Sequence, residues 1–128
     1  MELKEKKRQM TKRLETLKNR GMNIGSGLYY CNGNEDLYYE LLDAVIEESV
    51  EKKKLINKAV EEGNFKGYYL EVHALKNVTA IIGADDFNNI LTDLCAVIKI
   101  SQNLPNPEKV SDIMTKYDSL VKIIAESK

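Results

Sequence analysis

An all-α fold, an antiparallel up-down four-helix bundle with additional short N-terminal helical segments, is predicted by three features of the 128-residue sequence. Apolar residues recur three and four positions apart over four long stretches, the period of a helix with one buried face. Asparagine, glycine and proline fall between those stretches, where helices start and stop. Two prolines, no tryptophan and a charged fraction of 30% suit a helical protein with a hydrated surface. A chain of this length is one domain able to bury a sizeable core.

The elements follow in order. Leu3, Met10, Leu14 and Leu17 form one narrow stripe, which Gly21, Gly25 and Gly27 interrupt. "SGLYYCNGN" reads as a short helical turn between glycines. Asn34 is a suitable N-cap, and Glu35 and Asp36 follow in the first turn, where the helix dipole favours negative charge. One long helix is expected from there to Glu62, with Leu37, Leu41, Leu42, Val45, Ile46, Leu55, Ile56, Ala59 and Val60 inward. The block "EESVEKKK" thins this stripe and is where a kink would fall. Gly63 ends the helix and Asn64 caps the next, which runs to about Ile82 with Gly83 as a left-handed stop. Asp85 and Asp86 open a further helix carrying Phe87, Ile90, Leu91, Leu94, Val97 and Ile98. "NLPNP" ends it, since proline cannot continue a helix interior. Pro107 can begin the last helix, whose stripe is Val110, Ile113, Met114, Tyr117, Leu120, Val121 and Ile124. There is no strand-like alternation and no repeat.

No apolar run approaches the ~20 residues of a membrane span, and the charged N-terminus does not read as an export signal, so the expected location is the cytoplasm. Cys31 and Cys95 lack metal-site spacing and are expected as small buried apolar side chains. Residues 1–20 hold eight Lys/Arg against three Glu, a charge of +5, which leaves −6 on the rest. Such a basic leader can touch nucleic acid or an acidic membrane. It lacks interleaved aromatics, and the favoured reading is a solvated helix face pairing with the acidic body.

His73 is the only histidine. Along a helix, at about 100° per residue, Lys76, Asn77, Ala80 and Ala84 lie within about 60° of it, as do Tyr69 and Lys66. Leu75, Val78 and Ile82 lie opposite, on the core side. His73 is therefore expected to point outward from a face of small and polar groups. Glu71 falls on the core side, where it would bond a tyrosine or mark a rotated helix. A single histidine in a helix is ordinarily a surface or packed residue. Here a lysine stands one turn on, and small neighbours would let a second protein approach. Neutral imidazole is a nucleophile near physiological pH, and Lys76 can place an ammonium beside an anion on the ring. No second histidine, nucleophile elbow, phosphate loop or metal-ligand cluster accompanies it. The pattern is that of a carrier completed by a partner.

"HALKNVTAIIGA" resembles the His-x-Leu-Lys-(small)…Gly-Ala signature of histidine phosphotransfer (HPt) domains, and "GLYYCNGNEDLYYELL" resembles the segment by which those domains enter their long helix. The likeness spans roughly residues 23–124. It implies an HPt-like bundle over residues 21–128, with residues 1–20 a basic N-terminal helix or linker remnant. It further implies that His73 accepts a phosphoryl group from a receiver-domain aspartate and passes it to another receiver, assisted electrostatically by Lys76. Tyr69, Asn77, Ala80 and Ala84 would belong to the receiver docking face. Expected partners are response-regulator receiver domains and a hybrid histidine kinase, with the chain a monomer and neither nucleic acid nor membrane involved. No cofactor or metal is expected on this chain, since magnesium would sit in the receiver. Asn77 departs from the family, which usually has glycine there, or serine in some branches. The competing readings are a receiver-binding scaffold no longer phosphorylated, which Asn77 favours, and a nucleic-acid or membrane adaptor using the leader.

Overall fold

The structure, a computed structural model, describes residues 2–128, with the side chains of residues 2, 6, 7, 9 and 10 left aside. Met10, one member of the predicted N-terminal stripe, thus lies outside the described side chains. The described residues form six helices and no strand: α1 (Glu2–Asn19), α2 (Ile24–Tyr30), α3 (Glu35–Glu61), α4 (Phe65–Ile82), α5 (Asp85–Ser101) and α6 (Pro107–Glu126). The all-helical class is as expected. No helix among the described residues is long and apolar enough to cross a membrane.

Local hydrogen bonds explain the boundaries. The side chains of Asn23, Asn34, Asn64 and Asn106 accept from the amides of Ser26, Leu37, Gly67 and Lys109, satisfying donors that each helix start leaves unpaired. Gly83 closes α4 with a φ of +83°, and a side chain there would also run into the carbonyl oxygen of Asn23. The charged middle of α3 does not interrupt the helix. Its lysines instead reach neighbours. Lys52 pairs with Glu71 of α4 at 3.0 Å. Lys53 pairs with Asp118 of α6 and stands 5.5 Å from the centre of the Tyr117 ring.

α4 is the hub, packed against α2, α3 and α5, while α3 also packs against α6. Fully enclosed Tyr38, Leu42, Tyr68, Val72, Leu75, Ile82, Leu91, Ile98, Ile113 and Ile124 make up the centre. Tyr38 locks three helices together. Its hydroxyl donates to the Ile82 carbonyl at 2.8 Å, and its ring lies where a side chain on Gly27 would be. The amide of Asn23 donates to the Gly83 carbonyl, at 2.8 Å, holding the α1–α2 connection to the same end of α4.

The apolar stripes of three helices need correction. On α3, Leu37 and Leu55 are 40% and 41% exposed. Val97 is 59% exposed, and Cys95 takes the inward place on α5. On α1, Leu3 is exposed, while Leu14 and Leu17 of the same stripe pack into the core. Leu17 is fully buried and belongs to the same core as the later helices. The basic leader is otherwise as read: Arg13 pairs with Asp43 and Arg20 with Glu126, both at 3.0 Å, and Lys4, Arg8, Lys12 and Lys18 face solvent. Cys31 and Cys95 are buried free thiols.

Candidate functional site

His73 lies midway along α4, and its surroundings begin with its own helix. Side chains on a helix lean toward the preceding turn, which brings the imidazole onto Tyr69, four residues earlier. The two rings stack with centroids 5.6 Å apart and planes 16° from parallel. Nδ1 is buried and has no hydrogen-bond partner, whereas Nε2 is not enclosed. The expectation of a freely outward histidine is therefore corrected: His73 is half-buried, one ring edge inside and the tip reachable. The angular count treated the core as lying in one direction. With α2, α3 and α5 all packed on α4, less of its circumference is left to solvent.

Lys76, one turn on, is half-buried, and its ammonium is in no ion pair among the described residues. It lies toward α5: burial pushes the Cys95 thiol up from its ordinary pKa, and the Lys76 charge pulls the other way. The backbone at this turn is pinned. Asn88 of α5 donates its side-chain amide to the Lys76 carbonyl at 2.7 Å and to the Thr79 hydroxyl at 3.2 Å. Thr79 itself donates to that carbonyl at 2.8 Å. Asn88 thus ties the first turn of α5 to the turn that carries the lysine. Nothing in its sequence neighbourhood marks it, since the contact joins residues twelve apart on different helices.

Of the remaining predicted positions, Asn77 is exposed and its amide makes no hydrogen bond among the described residues. Ala80 is half-buried. Ala84 does not belong to the face. It is 6% exposed and stands beyond the left-handed turn at Gly83, as the cap of α5, so helical angles from His73 do not apply to it. Glu71 finds Lys52 rather than a tyrosine, and the carboxylate is near enough to Tyr117 to raise its pKa.

Below His73 a groove of about 390 Å³ runs between the start of α4 and the end of α5. Phe65, Tyr69, Leu70 and Ile98 line it with apolar surface, and Lys66, Lys99 and Gln102 supply polar groups. Both lysines are exposed and in no ion pair among the described residues. Leu70 is 65% exposed. Tyr69 belongs to both the groove and the stack on His73, and so joins the two. The groove was invisible to the sequence reading, because its walls come from helices whose relative placement is a tertiary property.

Among the described residues no three His, Cys, Asp or Glu side chains gather where they could hold a metal ion. Compared with protein-family models, curated proteins and solved structures, the chain matches none of them.

Proposed function

We propose that the chain is a phosphorelay intermediate of the HPt kind, in which His73 takes a phosphoryl group from a receiver-domain aspartate and hands it to another receiver. Helices α3 to α6 are then the antiparallel up-down bundle, since connections of two to five residues favour antiparallel neighbours. The observation that carries the reading is the pairing of a reachable Nε2 on His73 with the unpaired ammonium of Lys76 one turn away. In the transfer, the Nε2 lone pair attacks phosphorus. The bond from phosphorus to the aspartyl oxygen breaks, and the carboxylate leaves with that electron pair. The attacking imidazole keeps its proton on Nδ1. Lys76 balances charge on the phosphoryl oxygens before and after transfer.

The α4–α5 groove supports a protein partner rather than a small substrate. Tyr69, which stacks on His73, forms part of its apolar wall, and its lysines suit an apolar docking surface that carries carboxylates. A second reading, a receiver-binding scaffold without phosphate, is favoured by one residue. Asn77 exposes its side chain where the HPt resemblance leads one to expect glycine.

The test is to incubate the protein with phosphorylated receivers and look for acid-labile phosphate. Wild type should be labelled and His73→Gln should not. The replacement removes a stacked pair worth about 0.5–1.5 kcal/mol, so the variant should stay folded with a slightly lower melting temperature. Label on a folded His73→Gln protein would place the nucleophile elsewhere.

A further inference from the structure

If His73 is a carrier, as proposed above, one ring nitrogen has to be offered to the partner and the other withheld. We infer that Tyr69 is a positioning residue that clamps the imidazole, with Nδ1 turned into the protein and Nε2 outward, so that phosphoryl transfer is confined to Nε2.

The buried nitrogen is the starting point. Nδ1 is enclosed without a hydrogen-bond partner, an unfavourable state for a polar atom that a rotation of the side chain could bring into water. No hydrogen bond holds the ring in place among the described residues. Its ordered neighbour is Tyr69, lying nearly parallel at 5.6 Å, within the range of an offset stack. The contact is local in origin, since an i–4 aromatic is where a leaning helical side chain comes to rest. Tyr69 is itself partly buried against the core and presents its remaining surface to the groove lined with Phe65 and Ile98. The clamp uses the ring face and not the hydroxyl, so phenylalanine should serve in its place.

A free imidazole can be phosphorylated on either nitrogen, and each attack uses the tautomer that leaves that nitrogen's lone pair unprotonated. Held as in this structure, only Nε2 can meet a phosphorus atom. The chemistry can be examined without any partner protein by using phosphoramidate. The ring nitrogen attacks phosphorus, the nitrogen–phosphorus bond of the reagent breaks, and ammonia leaves with that electron pair. The resulting Nε2 and Nδ1 phosphohistidines have distinct phosphorus NMR signals.

The full chain, Tyr69→Phe and Tyr69→Leu would each be treated with phosphoramidate and sampled early, before isomers interconvert, with circular dichroism to verify folding. Wild type and Tyr69→Phe should give the Nε2 isomer alone. Tyr69→Leu keeps bulk and helix propensity but has no ring face, and should lose this selectivity and show both isomers. Nitrogen NMR of the unmodified imidazole should agree, with one fixed ring environment in the first two proteins and an averaged one in the third. Appearance of the Nδ1 isomer in wild type overturns the clamp, as does a pure Nε2 product from folded Tyr69→Leu or absence of any label on His73. Failure of the carrier reading looks different: clean Nε2 labelling by phosphoramidate, yet no exchange with any phosphorylated receiver.

Discussion

Lys76 is in no ion pair among the described residues, so its removal orphans none of their charges and its contribution to transfer can be bounded directly. A partly exposed ammonium beside a phosphoryl group is worth about 0.2–1 kcal/mol by analogy with surface ion pairs. Lys76→Ala should therefore slow single-turnover transfer by up to about five-fold without abolishing it. Complete loss in a folded variant would mean that the lysine does more than screen charge. Asn77 poses a sharper question. Its exposed amide can donate to a phosphoryl oxygen, while glycine would let a partner's backbone come closer. Asn77→Gly should transfer as well as wild type or somewhat faster, at a helix cost of about 0.3–0.5 kcal/mol. Asn77→Leu, of similar size but unable to hydrogen-bond, should be slower. An inert wild type beside an active Asn77→Gly would favour the scaffold. At this scale the sequence showed which residue types share the neighbourhood of His73. It did not show the buried ring edge, the Lys52 partner of Glu71, or the removal of Ala84 to another helix.

Among the elements, α1 departs most from what its sequence suggests. A basic helix ahead of four amphipathic ones suggests an appendage, yet Leu17 is wholly enclosed and Leu14 lies against the same core. Arg13 adds to the attachment. It donates to Asp43 at 3.0 Å and to Ser127 at 3.2 Å, and its guanidinium stands 4.8 Å from the centre of the Tyr39 ring. Leu17→Ala should cost about 2–5 kcal/mol, the range for deleting an enclosed leucine side chain. Deleting residues 1–20 should cost at least as much, with a lower urea midpoint as the readout. A truncated chain as stable as the full one would show that the remaining helices close over the gap. The charged block of α3 carries the same lesson in reverse. Its lysines thin the apolar stripe, but they bridge to α4 and α6, and the helix stays continuous through them.

For the whole molecule, the buried tyrosines set a limit on alkaline stability. Burial pushes Tyr38, Tyr68 and Tyr117 from the ordinary value of 10 up to about 12, with Cys31 adding to the rise at Tyr38, Cys95 at Tyr68 and Glu48 at Tyr117. Each hydroxyl holds its proton more tightly in the folded protein than in the unfolded chain. The associated stability is fully present below pH 10 and is lost as pH rises through about 12. Helix content should therefore fall cooperatively within that window, together with a step in tyrosinate absorbance. Tyr38→Phe should make the pH dependence shallower, at the expense of the bond to Ile82. Helicity that persists unchanged while all seven tyrosines ionise would contradict this account.

The sequence by itself determined the helical class, nearly every helix boundary, the buried thiols and the singular position of His73. Those features depend on hydrogen bonds within one turn: asparagine caps, a left-handed glycine and a proline at the first position of α6 act on residues three or four away. Only the tertiary structure decided which nitrogen of His73 is hidden, where the groove beside it runs, and that α1 shares the core. Each of these depends on how far a helix is rotated about its own axis. That rotation is set by contacts from several neighbours at once, and α4, with three helices packed against it, is where local periodicity constrains it least.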